Sequence, residues 1–576
     1  MDFITREENN LKDLINSLGF DIDSVVLTVS KKVEYGEYQY NGVMELSKRL
    51  GKNPIEVANL IKDKMLETDY YSDVNIAGPG FINITFNEKY LIEYLNEINK
   101  DLNINKPLPK NKKIIIDYGG ANVAKALHVG HLRSANIGEA LKRLSNELGN
   151  ITYGDVHLGD YGRPMGLIIN ELKYRYPTLN YFNPNYDGVY GPCPITNEDL
   201  EDIYPIASLK GKENEIYMEE ARILTTQIQD KIPGIYDLWK DIVDISKKEI
   251  KKIYDRLNTT FEFWYGESDS DKYLDEMISY LKENNIVKLD NGALIIDVTK
   301  EDDNTDIPPL LLVKSNGAVS YETTDLATIW GHMKETNPDE MWYVTDNRQY
   351  LHFEQVFRAA YKSNIVQKNK KLEFIGFGTM NGVDGKPFKT RDGGTLKLVD
   401  LIDMVKEETL KNVSETIENK EEVSEKLAIA ALKYADFLSN RVTDYIFDPI
   451  KFTDLNGKTG VYVLYSNIRM KSLLENAKNI EYNKLTILKD IDRSIAIKLI
   501  ELPKVLDNSY NTKSLNSIVD FLYELSNLYN NLYSNNRILN EEDIVLRESR
   551  LVLTNIVYKT TTKLINILGI EIPERI

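Results

Sequence analysis

Lys113-Ile114-Ile115-Ile116-Asp117 and, a short way on, His128-Val129-Gly130-His131 frame the stretch on which the fold of this chain turns. The first is a β-branched apolar run of the kind that fills a buried parallel strand. Gly119-Gly120 breaks it, and the spacing beyond predicts a helix from about Leu132 to Leu148. A helix N-terminus carries free N–H groups and the positive end of a dipole, so this strand, loop and helix offer a phosphate site beside two imidazoles. Gly130 leaves room for a base or sugar at the backbone, and His128 and His131 can each donate to phosphate oxygens as charge develops in a transition state. The pair has neither the i, i+4 spacing with a Glu nor the Cys partners of a zinc site, so phosphate contact and simple helix capping are the readings left open.

Working outward, the 576 residues are too many for one core, and three or more domains are expected. No apolar run approaches the ~18 residues of a membrane span, the first residues show no signal-peptide pattern, and the lone Cys193 suits a reducing cytosol. The net charge of −18 is a poor general attractant for nucleic acid. It is unevenly spread: from Arg441 to Ile576 there are 18 basic against 17 acidic residues, which leaves 53 against 72 in the first 440. The near-neutral C-terminal part can bind RNA through local basic patches.

Residues 1–105 read as a small α+β unit, with helical spacing in Asn41 to Leu50 and Pro54 to Leu66 and a strand over Phe81 to Phe86; Asn103 to Lys110 looks like a linker. Residues 106–395 alternate strands and helices. The strands expected after Ile114 to Asp117 are Ala293 to Asp297, Leu310 to Val313, Met341 to Thr345 and Leu372 to Gly376, the pattern of a doubly wound, Rossmann-like parallel sheet. From 396 the chain turns helical, as a stem over 396–460 and an α-helical bundle over 461–576, with heptad-like spacing in Ile429 to Leu438 and Ile495 to Leu506. Tyr523, Tyr529 and Tyr533 recur at near-helical spacing there, as core residues or as platforms for unpaired bases. A second phosphate loop, Gly385 to Gly394, carries Lys386, Lys389 and Arg391, with Lys389 the first choice for a cation that closes over a triphosphate.

Ala121-Asn122-Val123-Ala124-Lys125-Ala126-Leu127-His128-Val129-Gly130-His131-Leu132-Arg133-Ser134 resembles the HIGH signature of class I aminoacyl-tRNA synthetases in its arginyl-tRNA synthetase form. Tyr35 to Gln39 with Asn41, and Ala77 to Asn83, resemble that family's additional N-terminal domain. Gly159-Asp160-Tyr161-Gly162, Tyr321 to Ala327 and Gly457 to Tyr462 resemble its catalytic and stem motifs, and the tail ending Leu568 to Arg575 is similar to its anticodon-binding domain. Departures include Tyr161 in place of Trp, Arg163-Pro164 in place of polar or apolar residues, Val461 in place of Pro, and the Lys386 to Arg391 loop in place of Lys-Met-Ser-Lys.

The resemblance implies a class I fold and an ATP-dependent arginine–tRNA ligase. It would activate L-arginine as an adenylate and transfer it to the 3′ end of tRNA(Arg), with Mg²⁺ carried on the nucleotide and no protein-bound metal. Its arginine pocket would comprise Asp117, Asn122, Tyr321, Asp325 and Gln349, since a carboxylate accepts a guanidinium fork in bidentate fashion. ATP would meet Lys125, His128, Gly130, His131, Lys386, Lys389 and Arg391, with His128, His131 and Lys389 catalytic. The tRNA contacts would be Tyr38, Asn41, Phe81, Asn83, Tyr462 and Arg469. A cytoplasmic monomer is the expectation. Two competing readings are an HxGH-type nucleotidylyltransferase, which leaves the N-terminal unit and the helical tail unexplained, and a catalytically altered RNA-binding paralogue.

Overall fold

The computed structural model describes residues 1–30, 35–188, 193–305, 307–386, 388 and 396–576. Four parallel strands, β1 (Lys113–Asp117), β2 (Ile151–Asp155), β3 (Glu340–Asp346) and β4 (Lys371–Phe377), form a central sheet in the order β4-β3-β1-β2. Ile114, Ile115 and Ile116 are almost wholly buried, and each such side chain contributes about 1.5–3 kcal/mol relative to exposure. The winding reverses between β1 and β3, and open α/β sheets bind ligands beyond the carboxyl ends of their strands at such a reversal. Three of the four strands end there on an aspartate: Asp117, Asp155 and Asp346.

Two strands expected in this sheet lie elsewhere. Ala293–Ile296 and Leu310–Val313 join Lys288–Asp290 in a separate antiparallel sheet of three. Asn291 and Gly292, at φ of 48° and 83°, make the two-residue hairpin turn that commits this segment to antiparallel pairing. Conversely, β2 escaped notice because Ile-Thr-Tyr-Gly-Asp is short and half polar. Its Gly154 is there to admit Tyr118, whose hydroxyl would stand 2.7 Å from an added Cβ.

The helix after the histidine loop runs Val129–Glu147, a turn earlier than its apolar spacing suggested, because His128 itself caps it. Gly138 lets this helix lie directly on Tyr118, with an added Cβ only 2.2 Å from the ring. Pro164 begins the Arg163–Arg175 helix in the first turn, where its missing N–H is harmless, and Tyr161 uses its hydroxyl on Asp271 (2.7 Å).

The N-terminal unit is a four-stranded antiparallel sheet covered by helices Phe3–Ser17, Val43–Leu50, Pro54–Leu66 and Glu88–Lys100. The segment expected to be a linker is docked: Asn105 is buried, donates to the Leu499 carbonyl (2.8 Å) and accepts from Tyr94 (3.0 Å). The C-terminal part is the expected bundle. The apolar run Ile495 to Leu506 is two helices, Asp490–Ile500 and Leu502–Thr512, with Pro503 in the first turn of the second.

One buried ion pair ties these layers together. From the Val129–Glu147 helix, Arg133 reaches Asp436 (Nε to Oδ1, 2.7 Å) on the Lys420–Leu438 helix and donates through Nη1 to the carbonyls of Gly378 (2.7 Å) and Thr443 (3.2 Å). Asn136 donates to the other oxygen of Asp436 at 3.1 Å, and both members of the pair are at most 1% exposed. Removing one member strands the other charge in the core. We expect Asp436→Ala to lower the urea unfolding midpoint by an amount corresponding to about 3–5 kcal/mol; a shift below about 1 kcal/mol would show that the pair is dispensable.

Candidate active site

The histidine loop fixes the protonation of both rings. The Nδ1 of His128 accepts from the Gly130 N–H (3.0 Å), and the Nδ1 of His131 accepts from the His128 N–H (3.0 Å). A ring nitrogen that accepts carries no proton, so each neutral imidazole bears its hydrogen on Nε2, a donor left for something outside the helix. The ring centroids stand 4.0 Å apart. Burial, with Lys125 and Arg348 nearby, lowers the pKa of His128; burial and then the neighbouring His128 push His131 down to about 3. Both capping and phosphate contact, the alternatives posed by the sequence, are therefore available at once: Nδ1 caps and Nε2–H is offered.

The base of the basic loop lies against this cap. Leu396 donates to the Phe388 carbonyl (3.4 Å), Lys397 pairs in antiparallel register with His128, and Leu398 donates to the Leu127 carbonyl (2.8 Å). Lys386 is exposed, its backbone held by Asp384 (3.0 Å) and Gly382 (2.8 Å). Lys389 and Arg391 lie outside the described residues. Lys125 rests 4.2 Å from the centre of the Tyr204 ring, and Ala124 before it holds φ of 58°, its N–H on Ser246 (3.0 Å).

On the other side of β1 the crevice is crowded with carboxyl groups. Asp117 and Asp155 are register partners on adjacent strands. Burial first, then Asp155 and Asp325, raise the pKa of Asp117 well above the usual range. Burial, Asp325 and Asp160 push Glu267 up to about 7. Tyr321, whose ring lies 4.8 Å from that of His352, is raised chiefly by the charge of Asp325. Asp325 is paired with His352 (2.5 Å) and Asp155 with His332 (3.2 Å). Among the described residues no lysine or arginine pairs with Asp117, Asp155, Asp325 or Glu267. Such a pocket is short of a cation, and a planar guanidinium suits it. Asn122 is exposed at the rim, where its segment pairs with Gly159; a Cβ on that glycine would fall 2.4 Å from the Asn122 Oδ1. Gln349 is exposed on the short turn after β3. Among the described residues no three His, Cys, Asp or Glu side chains gather to hold a metal ion.

The comparisons with known proteins cover the whole chain. The model for tRNA synthetases class I (R), catalytic domain, matches residues 95–449; that for the arginyl tRNA synthetase N terminal domain matches 6–86, and that for the DALR anticodon binding domain matches 463–576. An arginine–tRNA ligase of Alkaliphilus oremlandii is 42% identical over 98% of both chains, and one of Francisella tularensis subsp. novicida is 39% identical over 98% of both. The chain belongs to the arginyl-tRNA synthetase family. It is thus an aminoacyl-tRNA ligase with a class I catalytic domain. The arginyl-tRNA synthetase structures of Plasmodium falciparum (TM-score 0.82, 23% identity, 100% of this chain and 99% of that one) and Thermus thermophilus (TM-score 0.76, 18% identity, 100% of both) share its fold.

Of the residues the family resemblance assigned to tRNA, two are internal. Tyr38 is 1% exposed within the N-terminal sheet, and Asn83 is 2% exposed with its Oδ1 on Gln39 (2.7 Å), so neither can reach a partner and both support the fold. Asn41 is exposed and Phe81 half-buried. On the DALR domain, Arg469 lies between the rings of Tyr465 (4.6 Å) and Tyr533 (4.9 Å) and donates to Asn530 (2.9 Å). Tyr462 packs on Tyr523 and donates to Asn527 (2.5 Å). Tyr529 is core, whereas Tyr465 and Tyr533 are about 40% exposed.

Sequence reading missed His157, His332, His352, Asp155 and Glu267. A signal was present: the chain has only five histidines, and all of them face this end of the sheet or the carboxylates there. The low pKa of His131 gives a testable consequence. Its folded value lies below the 6.5 of an unfolded histidine, so its contribution to stability is full above pH 6.5 and is lost as the pH falls from 6.5 toward 3. In a ¹³C-histidine-labelled sample we expect the His131 ring signals to stay unchanged between pH 8 and 5. A titration with a midpoint near 6.5 would contradict the half-buried, capping geometry.

Proposed function

We propose that this crevice joins L-arginine to tRNA(Arg) in two steps. The arginine carboxylate attacks the α-phosphate of ATP and pyrophosphate leaves; the 3′-terminal ribose hydroxyl of the tRNA then attacks the arginyl carbonyl and AMP leaves. Both steps exchange bonds between bound substrates, so positioning and charge stabilisation supply the catalysis. The observation that carries the reading is the pairing, across the end of β1, of two fixed Nε2–H donors with a pocket of carboxyl groups short of a cation.

Within it, His128 and His131 donate to the phosphates, and the basic loop supplies the phosphate cation, Lys389 as first choice with Lys386 and Arg391 as the next candidates. Lys125 and the open backbone at Gly130 complete the ATP site. Asp117 and Asp325 receive the substrate's cationic groups, with Tyr321, Asn122 and Gln349 around them. Citrulline would leave buried carboxylates unpaired and lysine would lose the fork, which is the basis for selecting arginine. Mg²⁺ travels on the nucleotide. The tRNA lies across Asn41 and Phe81 at one end and Tyr462 and Arg469 at the other, where the exposed tyrosines beside Arg469 suit unpaired bases. The division into units 1–105, 106–395, 396–460 and 461–576 and a cytoplasmic monomer complete the proposal; among the described residues no helix is long and apolar enough to cross a membrane.

The test is ATP–pyrophosphate exchange and aminoacylation with mixed tRNA and each amino acid in turn. We expect charging with arginine alone; charging with another amino acid, or exchange driven by a different phosphorylated substrate, would overturn the reading. His128→Ala is expected to lower kcat by about 10²- to 10³-fold, as for loss of one oxyanion donor, with the KM for arginine within twofold. Asp325→Asn should instead raise the KM for arginine by about 10²-fold, the cost of a lost charged hydrogen bond in a buried site. Equal effects of both variants on arginine binding would break the division of roles.

A further inference from the structure

We infer that Arg348 is a phosphate-binding residue of the ATP site, aimed by Asp346, an inference that rests on the ATP-dependent reading above. Asp346 is the last residue of β3, the strand that pairs with β1 where the winding reverses. The chain turns at once into the short helix Asn347–Gln349, which Asp346 caps by accepting the Arg348 N–H (2.9 Å). The same carboxylate holds the Arg348 side chain in a fork, Nε on Oδ1 (2.8 Å) and Nη2 on Oδ2 (2.9 Å). Asn347 cannot drift from β4, since it lies against Gly376, where a Cβ would meet its Oδ1 at 2.1 Å. The guanidinium therefore has a fixed base and a fixed direction.

It is also in the right neighbourhood. Arg348 is one of two cations, with Lys125, whose charge lowers the proton affinity of His128. Its side chain is 84% exposed, unlike the buried Arg133. A guanidinium has five N–H donors and Asp346 takes two, leaving three on the edge away from the carboxylate. An exposed ion pair of this kind is worth at most about 1 kcal/mol, too little to explain the arrangement as a stabilising device. Its effect is to hold a planar donor set in one orientation before a polyanion arrives, which lowers the ordering cost of binding. Two other cations near the loop have partners of their own: Lys397, in backbone register with His128, rests on Glu201 (2.5 Å), and Lys125 on Tyr204. Each of these two is held back from the helix cap by a partner, whereas Arg348 is held in a way that leaves its outer edge free to donate.

The full-length protein tests this with Arg348→Ala, Arg348→Lys and Asp346→Asn, read by calorimetric titration with ATP and by arginine-dependent ATP–pyrophosphate exchange in the presence of mixed tRNA. For Arg348→Ala we expect ATP affinity to fall at least tenfold and kcat/KM for ATP at least 10²-fold, with the KM for arginine within twofold and the thermal midpoint unchanged. Arg348→Lys should recover only part, because a point charge replaces a fork, and Asp346→Asn should raise the KM for ATP while leaving the residue itself in place. The inference is overturned if Arg348→Ala binds ATP within threefold of the parent protein, or if its defect appears only in the KM for tRNA, which would make Arg348 a contact for the acceptor strand. A parent protein that binds ATP but shows no arginine-dependent exchange in the presence of tRNA would overturn the proposed reaction; the binding titration would then still decide the role of Arg348.

Discussion

The buried contact between Arg133 and Asp436 governs much of this molecule because of where its two ends lie. Arg133 sits one turn into the helix capped by His128, and Asp436 sits near the end of the helix that leads toward the C-terminal bundle. The guanidinium also takes up carbonyls at Gly378 and Thr443, beyond β4 and beyond the Lys420–Leu438 helix. One side chain thus sets the histidine-capped end of the sheet and the root of the DALR domain in a single frame. A hydrophobic pair in its place could supply comparable stability, but not the three fixed directions of a guanidinium fork.

Within that frame, the chemistry is arranged by what each polar group already has. The two histidines of the cap use Nδ1 on the backbone and so have only one edge to offer. Asp325 and Asp155 have histidine partners, while among the described residues no lysine or arginine pairs with Asp117 or Glu267, an imbalance that the proposed arginine substrate would relieve. The five histidines thus serve two purposes with one property, an imidazole ring with two separate nitrogens to place: two cap the helix, and three face the carboxylates.

Much of this was legible in the sequence. The triple isoleucine of β1, the histidine loop and the helical character of the C-terminal part follow from period and punctuation, which act locally. The antiparallel sheet could have been read from Asn291-Gly292, a turn signal outweighed by the regular alternation of strands and helices. The buried state of Tyr38 could not, since a tyrosine on a strand looks the same whether its sheet face is covered or open. Asp155 and Glu267 were hidden for a different reason: their place in the crevice depends on strand order and on a loop closing over β2, neither of which has a local signature.

The docking of the N-terminal unit on the helical bundle has a consequence for how the chain is made. Asn96 exchanges two hydrogen bonds with Leu485, Asn105 donates to Leu499, and Glu37 pairs with Arg493, across separations of 389, 394 and 456 residues. At roughly 5–20 residues per second, the ribosome delivers those partners on the order of 20 to 90 s after the first unit emerges. During that interval Asn96, Asn105 and Glu37 must be satisfied by water, so the nascent N-terminal unit has to be self-supporting through its own four-stranded sheet. Its contact with the bundle then closes only after the sheet of that unit has formed.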